Sequence, residues 1–276
     1  MTLKLPQDSQ LDRYKRLIDL LDHRFKEDIS IPDIEEATFY SYRNINRIFQ
    51  AIHQETIGKY IKRLRLEKSA EYLRYSQLSI SDIAEEIGYG DIAAFSKAFK
   101  GHFGITPSLF RDDFHEVQLP QIIAQPSGPP LEFEIETLAQ INFLYLEYRG
   151  SYEDISAIEQ MAAKLEDYVI QNQLMREDSV FIAEILDDSE ITEDLRCRYR
   201  LGISLPETLS FKPTGLFHTK IISPQKYARF IHQGSHASSV DTYQRIFSRW
   251  ILDVGLELED RPVLEIFLNN EENTPE

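Results

Sequence analysis

Residues 30–49 read SIPDIEEATFYSYRNINRIF, and residues 79–99 read SISDIAEEIGYGDIAAFSKAF. Each stretch contains a short apolar segment, a tight turn and a second apolar segment that ends in Ile48-Phe49 or Ala98-Phe99. Apolar residues three and four positions apart predict helices on both sides of each turn. We interpret this repeated helix-turn-helix pattern as a DNA-binding segment that reads two neighbouring turns of DNA. A helical bundle that binds no nucleic acid is the alternative.

The same spacing predicts which residues of the two units face the core. In the first unit these are Ile31, Ile34 and Ala37, then Ile45, Ile48 and Phe49. In the second unit they are Ile80, Ile83, Ala84 and Ile87, then Phe95, Ala98 and Phe99. Ser41 stands at the N-cap of a predicted helix, where its hydroxyl is expected to accept from free backbone N–H groups. Gly88 occupies the second turn, where a positive φ costs glycine little.

A single helix is predicted between the two units, over GKYIKRLRLEKSAEYLRY at residues 58–75. Such a helix would hold the units at a fixed separation. The residues predicted to face the bundle are Ile61, Leu64, Ala70 and Leu73. The residues predicted to supply positive charge are Lys59, Lys62, Arg63, Arg65 and Lys68.

The run IAEEIGYGDIAAFSKAFK at residues 83–100, followed by GITPSLFR at 104–111, resembles the DNA-binding domain of the AraC/XylS transcription regulators. The resemblance covers residues 9–113 and implies an all-α tandem helix-turn-helix domain, which we place at residues 1–115. Phe39 departs from the pattern, because it stands where the first turn of this family usually has glycine.

The resemblance implies that the second helix of each unit enters the major groove. The matching positions of the first unit are Ser41, Tyr42, Arg43, Asn46 and Arg47, and those of the second are Ile92, Ala93, Ser96, Lys97 and Lys100. Arginine and asparagine suit base reading, because they form paired hydrogen bonds with guanine and adenine. Ile92 and Ala93 can only touch a thymine methyl group. We therefore favour a second unit that mainly grips the DNA backbone through Lys97 and Lys100.

Composition bounds the class of protein. A chain of 276 residues predicts two domains. The one cysteine, Cys197, excludes a disulfide framework and a zinc cluster, and we interpret it as a plain strand residue. We predict no cofactor and no metal. No apolar run is long enough to span a membrane and the N-terminus lacks a signal-peptide core, which predicts a protein of the bacterial cytoplasm with no membrane partner.

Charge differs sharply between the two halves of the chain. Residues 1–115 hold 17 Lys+Arg and 18 Asp+Glu, a net charge of −1, whereas residues 116–276 hold 13 and 28, a net charge of −15. The second half should be repelled by phosphate, so DNA binding must rely on local basic clusters of the first half. We expect modest non-specific affinity and marked salt sensitivity.

The second half has a different pattern. PQIIAQPSGPP at residues 120–130 cannot continue a helix and marks a linker at 116–130. NFLYLEYRGSYEDI (142–155) and YARFIHQGSHASSV (227–240) both predict a strand, a glycine turn and a helix start. SVFIAEIL (179–186) and PVLEIFL (262–268) predict the strands that follow the two helices. This duplicated strand-helix-strand unit, with further strands near 196–204 and 215–222, predicts an α+β domain over 131–270. Its expected form is one sheet covered by two helices, and residues 271–276 form an acidic tail.

This half resembles the GyrI-like effector-binding domain through its YRGSY and HQGSH turns, RWILDVGLEL (249–258) and RPVLEIFL (261–268). The order of the two domains resembles that of Rob-type regulators. The resemblance implies a small-molecule effector. It further implies a cleft between the repeats that binds lipophilic cations, with an acidic residue on a central strand facing them.

Glu265 matches that acidic position. Alternation along residues 262–268 places it among apolar residues, and a buried lone carboxylate requires a donor or a cation. Glu184 is its counterpart in the first repeat, and either glutamate could instead point to water. Aromatic faces attract cations, and the candidate lining residues are Tyr145, Tyr148, Phe217, Tyr227, Trp250 and Phe267. His232 and His236 lack a third ligand, so metal binding is not expected.

These patterns predict a bacterial transcription regulator, not an enzyme, whose C-terminal domain binds a small molecule, and the resemblance implies that this effector is a lipophilic cation. Its expected partners are double-stranded DNA, the effector and RNA polymerase, and monomers should suffice for DNA recognition. Two alternatives stay open at this point. The C-terminal domain could hydrolyse a small molecule with Glu265 and a tyrosine, or it could bind only a protein partner.

Overall fold

The computed structural model describes residues 9–118, 131–206, 209, 211–234, 238–250 and 259–268. The chain divides into two compact units, Met1–Pro120 and Gln121–Glu276. The expected acidic tail, the proline-rich segment 120–130 and His236 lie outside the described residues.

The first unit is helical throughout. Its helices are α1 (Gln10–Arg24), α2 (Ile31–Thr38), α3 (Tyr42–His53), α4 (Ile57–Tyr75), α5 (Ile80–Glu86), α6 (Ile92–Phe103) and α7 (Pro107–Asp112), and a π-helical turn, Asp113–Gln118, follows. Both predicted helix-turn-helix units are present, as α2–α3 and α5–α6, with α4 as the predicted connecting helix. Helical structure continues to Gln118, so the segment predicted as a linker begins with helical residues.

Three helices of this unit begin with the same N-terminal capping arrangement. Ser9, Ser30 and Ser79 precede α1, α2 and α5, and each serine side chain accepts from the backbone N–H of an aspartate three residues later. That aspartate side chain accepts in turn from the serine backbone N–H. This reciprocal capping satisfies N–H groups that a helix start leaves without intrahelical partners.

Two isoleucines of the first helix-turn-helix unit that were predicted to face the core are exposed. Ile34, Ile45 and Phe49 are buried, but Ile31 is 52% exposed and Ile48 is 38% exposed. The helices α2 and α3 are short, so each presents only a narrow stripe to the bundle. Ile31 lies at the first position of α2, and Ile48 lies on the outer side of α3.

The second unit is an α+β structure, as predicted. Its strands are β1 (Glu134–Leu138), β2 (Ile141–Arg149), β3 (Phe181–Ile185), β4 (Arg198–Leu205), β5 (His218–Ile222), β6 (Gln225–Arg229) and β7 (Val263–Phe267). Its helices are α8 (Ile155–Gln171) and α9 (Ser239–Arg245), the second continuing as a π-helical turn, Ile246–Trp250. Short 3₁₀ helix Asp194–Arg196 precedes β4, and Cys197 is a buried residue between the two, not a strand residue.

The strands form two sheets within the described residues, not the single sheet expected. One has five strands in the order β5-β2-β4-β3-β7, and the other pairs β1 with β6. The two ladders nevertheless share a register, because Leu138 pairs with Gln225 and Ile141 pairs with Ile222. Two residues on each strand separate the ladders, so the second sheet continues the β2–β5 pair beyond a two-residue interruption.

Side chains on the two faces of the five-stranded sheet have different surroundings. On one face, Leu144, Leu201 and Ile203 pack with Met161 and Leu165 of α8 in a buried core. On the other face, Phe143, Tyr145 and Ile182 form a smaller buried cluster. No helix in the described part of the chain is long and apolar enough to cross a membrane.

Candidate DNA-binding surface and ligand site

The outer face of α3 carries the first group of candidate DNA contacts. Arg43 and Arg47 are both exposed, and their spacing of four places them on one side of the helix. Asn44 is exposed between them, and helical periodicity could have identified it as a third polar residue on this surface. Tyr42 is half-buried at the start of the helix.

Ser41 occupies the N-cap of α3 as predicted, but the predicted role of its hydroxyl is wrong. That hydroxyl makes no capping hydrogen bond with the residues that the structure describes. The carboxylate of Glu35, in α2, accepts from the backbone N–H of Tyr42 instead, at 2.7 Å. A residue from the preceding helix therefore fixes the start of α3, which local sequence patterns do not reveal.

Asn46 has a structural contact that was not expected. Its side-chain oxygen Oδ1 accepts from the backbone N–H of Ile57, the first residue of α4, at 2.9 Å. Asn46 is half-buried and ties α3 to the connecting helix. Only its amide nitrogen could be presented to a base while this hydrogen bond is kept.

The outer face of α6 is less polar than that of α3. Ile92 is 46% exposed, and Ala93, Lys97 and Lys100 are also exposed, whereas Ser96 is half-buried. Asp91 caps this helix, and its carboxylate accepts from the backbone N–H groups of Ala93 and Ala94 at 3.1 and 3.0 Å. The negative charge at this end disfavours a phosphate there.

The basic side chains of α4 do not form one positive surface. Lys59 and Lys62 are exposed, as expected. Arg63 is buried, with ion pairs to Glu55 at 2.8 Å and Glu67 at 2.9 Å. Part of the positive charge that was predicted for the surface of α4 is therefore buried in ion pairs. Lys68 pairs with Glu71, and Arg65 binds backbone carbonyl groups.

Both turns of the helix-turn-helix units adopt left-handed backbone. Gly88 has φ +80, as its position predicted. Phe39 has φ 55, and its backbone N–H donates to the carbonyl oxygen of Glu35 at 2.8 Å. The guanidinium of Arg16 lies 5.2 Å from the centre of the Phe39 ring, and its Nε donates to the carbonyl of Ala37. These contacts stabilise a conformation that costs a bulky residue free energy.

Glu265, on β7, lies on the face of the sheet that also holds Tyr199. Its carboxylate accepts from the hydroxyl of Tyr243 at 2.9 Å and from that of Tyr199 at 3.5 Å. Glu265 is half-buried and has no ion-pair partner among the described residues. The ring of Phe247 stacks beside Tyr243 at 6.2 Å.

Burial and the neighbouring Glu265 carboxylate raise the pKa of Tyr199 and of Tyr243 well above that of an ordinary phenol. Both tyrosines therefore keep their protons at neutral pH and act as hydrogen-bond donors. Neither was among the predicted lining residues. Tyr243 lies in α9 and Tyr199 in β4. The apolar spacing of a helix or a strand does not distinguish a ligand-contacting tyrosine from a core residue, so sequence patterns gave no reason to select them.

Glu184 and Glu265 lie on opposite faces of the sheet. Glu184 pairs across strands with Leu264, and Glu265 pairs with Ala183, so the two glutamates are offset by one residue. Glu184 is 2% exposed and forms ion pairs with Lys220 at 2.7 Å and Arg200 at 3.8 Å. Its charge is thus neutralised within the protein, and it does not share a site with Glu265.

The predicted aromatic lining residues also divide between separate places. Tyr148 and Phe217 pack with the α8 core, on the face of Glu265. Tyr145 lies on the face of Glu184, with Arg200 5.1 Å from its ring centre. Trp250 contacts the rings of Phe133 and Phe230.

The two remaining aromatic candidates are Tyr227 and Phe267, which lie on different strands. Tyr227, on β6, hydrogen-bonds with Gln225. Phe267 is 37% exposed on the strand of Glu265. Of the predicted lining residues only Phe267 shares strand β7 with Glu265, and the described hydrogen bonds of the Glu265 carboxylate are with Tyr199 and Tyr243.

Histidine contacts do not suggest a metal site. His232 has hydrogen-bonding contacts with Thr242 at 2.9 Å and with Ser238 at 3.0 Å. Within the described residues, no cluster of three or more His, Cys, Asp or Glu side chains could hold a metal ion.

Comparison with known proteins agrees with this two-part organisation. Residues 131–276 match the family model of the GyrI-like small molecule binding domain, and residues 34–113 match that of a helix-turn-helix domain. The probable transcription factor PqrA of Proteus vulgaris is 37% identical over 87 residues, which cover 32% of this chain and 71% of that protein. The regulatory protein SoxS of Salmonella typhimurium is 33% identical over 95 residues, 34% of this chain and 89% of that protein.

A longer relative is matched over less than half of its own length. The right origin-binding protein of Escherichia coli is 31% identical over 127 residues, which cover 46% of this chain and 42% of that protein. The fold and the family matches define a DNA-binding regulator with a separate small-molecule-binding domain. The chain belongs to the AraC-type transcription regulators that carry a C-terminal GyrI-like domain, which confirms both resemblances.

Proposed function

We propose that this chain regulates transcription by binding DNA through α3 and α6 and by binding a lipophilic cation at Glu265. The cation would change either DNA binding or the recruitment of RNA polymerase. The observation that carries the ligand proposal is the half-buried Glu265 carboxylate, which two tyrosine hydroxyls contact and no described basic residue neutralises.

We propose different roles for the two DNA-facing helices. Arg43 and Arg47 of α3 read base edges, because both guanidinium groups are exposed on one side of the helix. Lys97 and Lys100 of α6 contact phosphates, which hold the protein on DNA without reading sequence. Ser41, Tyr42, Ile92, Ala93 and Ser96 would border these contacts, and Asn46 would contribute mainly by orienting α3.

Selection of bound sequences from a random DNA library tests these roles. Wild-type protein should select a two-part site, with guanine in the half-site that α3 contacts. Arg43→Ala should cost about 1–3 kcal/mol and relax preference at one base pair. Lys97→Ala should weaken binding to all sequences similarly. A wild-type protein that selects no sequence would contradict the proposed DNA reading.

The physical argument for a cation rests on the contrast between Glu265 and Glu184. An ionised carboxylate loses hydration when it is covered by protein, and it regains free energy only from donors or an opposite charge. Glu184 obtains that charge from Lys220 and Arg200. Glu265 has only phenol donors among the described residues, so a bound cation would supply a positive charge that those residues do not.

The aromatic neighbours of Glu265 favour a cation with apolar substituents. Tyr199 and Tyr243 contact the carboxylate, and the Phe247 ring stacks beside Tyr243. Ring faces attract positive charge. Apolar substituents would gain from burial against the same rings. A small hydrated ion would lose its water shell without comparable compensation.

Calorimetry with a matched ligand pair tests the proposal. Benzyltrimethylammonium carries a positive charge, and neopentylbenzene has the same shape without it. Wild-type protein should bind the cation at least about tenfold more tightly than the neutral compound. Glu265→Gln should reduce this preference to about threefold or less, because it keeps the shape of the side chain and removes its charge.

Glu184→Gln is the matched control on the opposite face. It should lower stability, because Lys220 and Arg200 lose a buried anion, but the preference for the cation should remain. Equal affinity of the wild type for both compounds would rule out a charge-reading site. If Glu265→Gln kept the wild-type preference for the cation over the neutral compound, the cation would not be bound through Glu265.

The hydrolase alternative has less support. Tyr199 and Tyr243 stay protonated at neutral pH, so they can orient a ligand but are poor nucleophiles. The relatives that match are transcription regulators. A turnover assay of the full chain with electrophilic esters distinguishes the two functions, since a regulator should release no product.

A further inference from the structure

Arg65, in the middle of α4, donates to three carbonyl groups in two separate segments of Met1–Pro120. Its Nε donates to the carbonyl of Phe25 at 2.5 Å, and its Nη2 donates to the carbonyl of Glu27 at 2.6 Å. Its Nη1 donates to the carbonyl of Gly88 at 3.0 Å. Phe25 and Glu27 lie between α1 and α2, and Gly88 lies in the turn before α6. One guanidinium thus joins the segment between α1 and α2, and the turn of the second helix-turn-helix unit, to the connecting helix.

Lys26 makes a second link at the same place. Its Nζ donates to the hydroxyl of Tyr72 on α4 at 2.7 Å and pairs with Glu86 of α5 at 3.1 Å. The Lys26 carbonyl oxygen lies so near Gly88 that a Cβ there would be 2.1 Å away. The segment before α2 therefore packs directly against the turn of the second unit.

We call α3 and α6, the second helices of the two helix-turn-helix units, the recognition helices. Asn46 attaches α3 to α4. Its hydrogen bond with the N–H of Ile57 holds α3 at the start of the connecting helix. Arg65 then holds the second unit two turns further along the same helix. The two recognition helices are consequently fixed to one rigid element by directional hydrogen bonds.

We infer that Arg65 is a positioning residue that sets the separation of the two recognition helices and so the spacing of the two DNA half-sites. The inference rests on the proposed function, because it requires both helices to contact DNA. A rigid connection raises the effective concentration of the second helix at one spacing and lowers it at others. One added base pair moves a half-site by about 3.4 Å and about 35°.

The test compares DNA sites that differ only in spacing. The two-part site that wild-type protein selects from a random library is synthesised as selected and with one base pair inserted between its halves. Wild-type full-length protein should lose at least about tenfold in affinity on insertion. Arg65→Met keeps the aliphatic stem and removes all N–H donors. It should bind the selected site more weakly, and its loss on insertion should fall to about threefold or less.

Lys62→Met is the matched control, because Lys62 is an exposed cation on the same helix. It should weaken binding to both sites equally, so its loss on insertion should match that of the wild type. Thermal unfolding shows whether each variant is folded. If Arg65→Met is unfolded, Lys26→Met replaces it and should reduce the spacing penalty in the same direction.

The possible results separate the inference from the proposed function. A folded Arg65→Met with the spacing penalty of the wild type overturns the positioning role and leaves Arg65 as a stability residue. A wild-type site with no spacing preference also overturns it, although DNA recognition stands. A wild type that selects no sequence overturns both.

Discussion

Gly88 shows how strongly one position can constrain the arrangement of the first unit. Its backbone is left-handed, with φ +80, and an added Cβ would meet the Lys26 carbonyl oxygen at 2.1 Å. Gly104 has nearly the same backbone, with φ +81, but a Cβ there has no described atom within 4 Å. An alanine at Gly104 would therefore meet backbone strain alone, whereas an alanine at Gly88 would meet backbone strain and a steric clash.

We predict that Gly104→Ala costs about 1–2 kcal/mol of unfolding free energy, the price of a left-handed alanine. Gly88→Ala should cost about 3 kcal/mol or more, because the loop containing Lys26 must also move. Urea unfolding of the full chain, followed by helical circular dichroism, measures both. Equal costs would mean that the loop yields freely and that Gly88 is required only for its backbone.

At the scale of elements, α3 depends on a neighbouring helix for its first turn. The Glu35 carboxylate accepts from the Tyr42 N–H, whereas the Ser41 hydroxyl caps no described N–H group. In Met1–Pro120, the other three helices with serine caps, α1, α2 and α5, are each capped by a local serine and aspartate pair. The orientation of α3 is thus coupled to α2 through a tertiary hydrogen bond.

Substitution of the two candidate caps distinguishes local from tertiary capping. Glu35→Ala should lower the unfolding free energy by about 1 kcal/mol, because a charged acceptor at the N-terminus of α3 is lost. Ser41→Ala should change it by less than about 0.5 kcal/mol. Thermal unfolding measures the difference. A larger effect of Ser41→Ala would restore the local cap that its position suggested.

At the scale of the whole molecule, two recognition helices and a strongly acidic second half occur in one chain. Two helix-turn-helix units already span what a dimer of single units would. The net charge of −15 in residues 116–276 repels DNA, while residues 1–115 are nearly neutral overall. We therefore propose that one chain recognises one site, and that the second half weakens non-specific binding.

Light scattering of the complex should give one protein per DNA site. A fragment of residues 1–115 should keep the sequence preference and bind random DNA more tightly than the full chain, most clearly at low salt. An obligatory two-to-one complex would contradict recognition by a monomer. A fragment with unchanged affinity for random DNA would show that the acidic half does not oppose non-specific binding.

Sequence alone determined the elements whose signals are local. Apolar spacing in residues 30–49 and 79–99 identified both helix-turn-helix units, and the repeated glycine turns identified the duplicated second half. Helices and strands follow the periods of their own side chains, so neighbouring residues are sufficient evidence. The position of Glu265 on a strand followed from the same alternation.

Only the tertiary structure decided which of those residues meet. It placed Glu184 with Lys220 and Arg200, away from Glu265, and it brought Tyr199 and Tyr243 to the Glu265 carboxylate. It also directed Arg65 to backbone carbonyls rather than to DNA. These partners are distant in sequence, and strand register and helix packing determine whether they meet. A shift of one residue in register moves a side chain to the other face of a sheet, so composition and local spacing cannot specify such contacts.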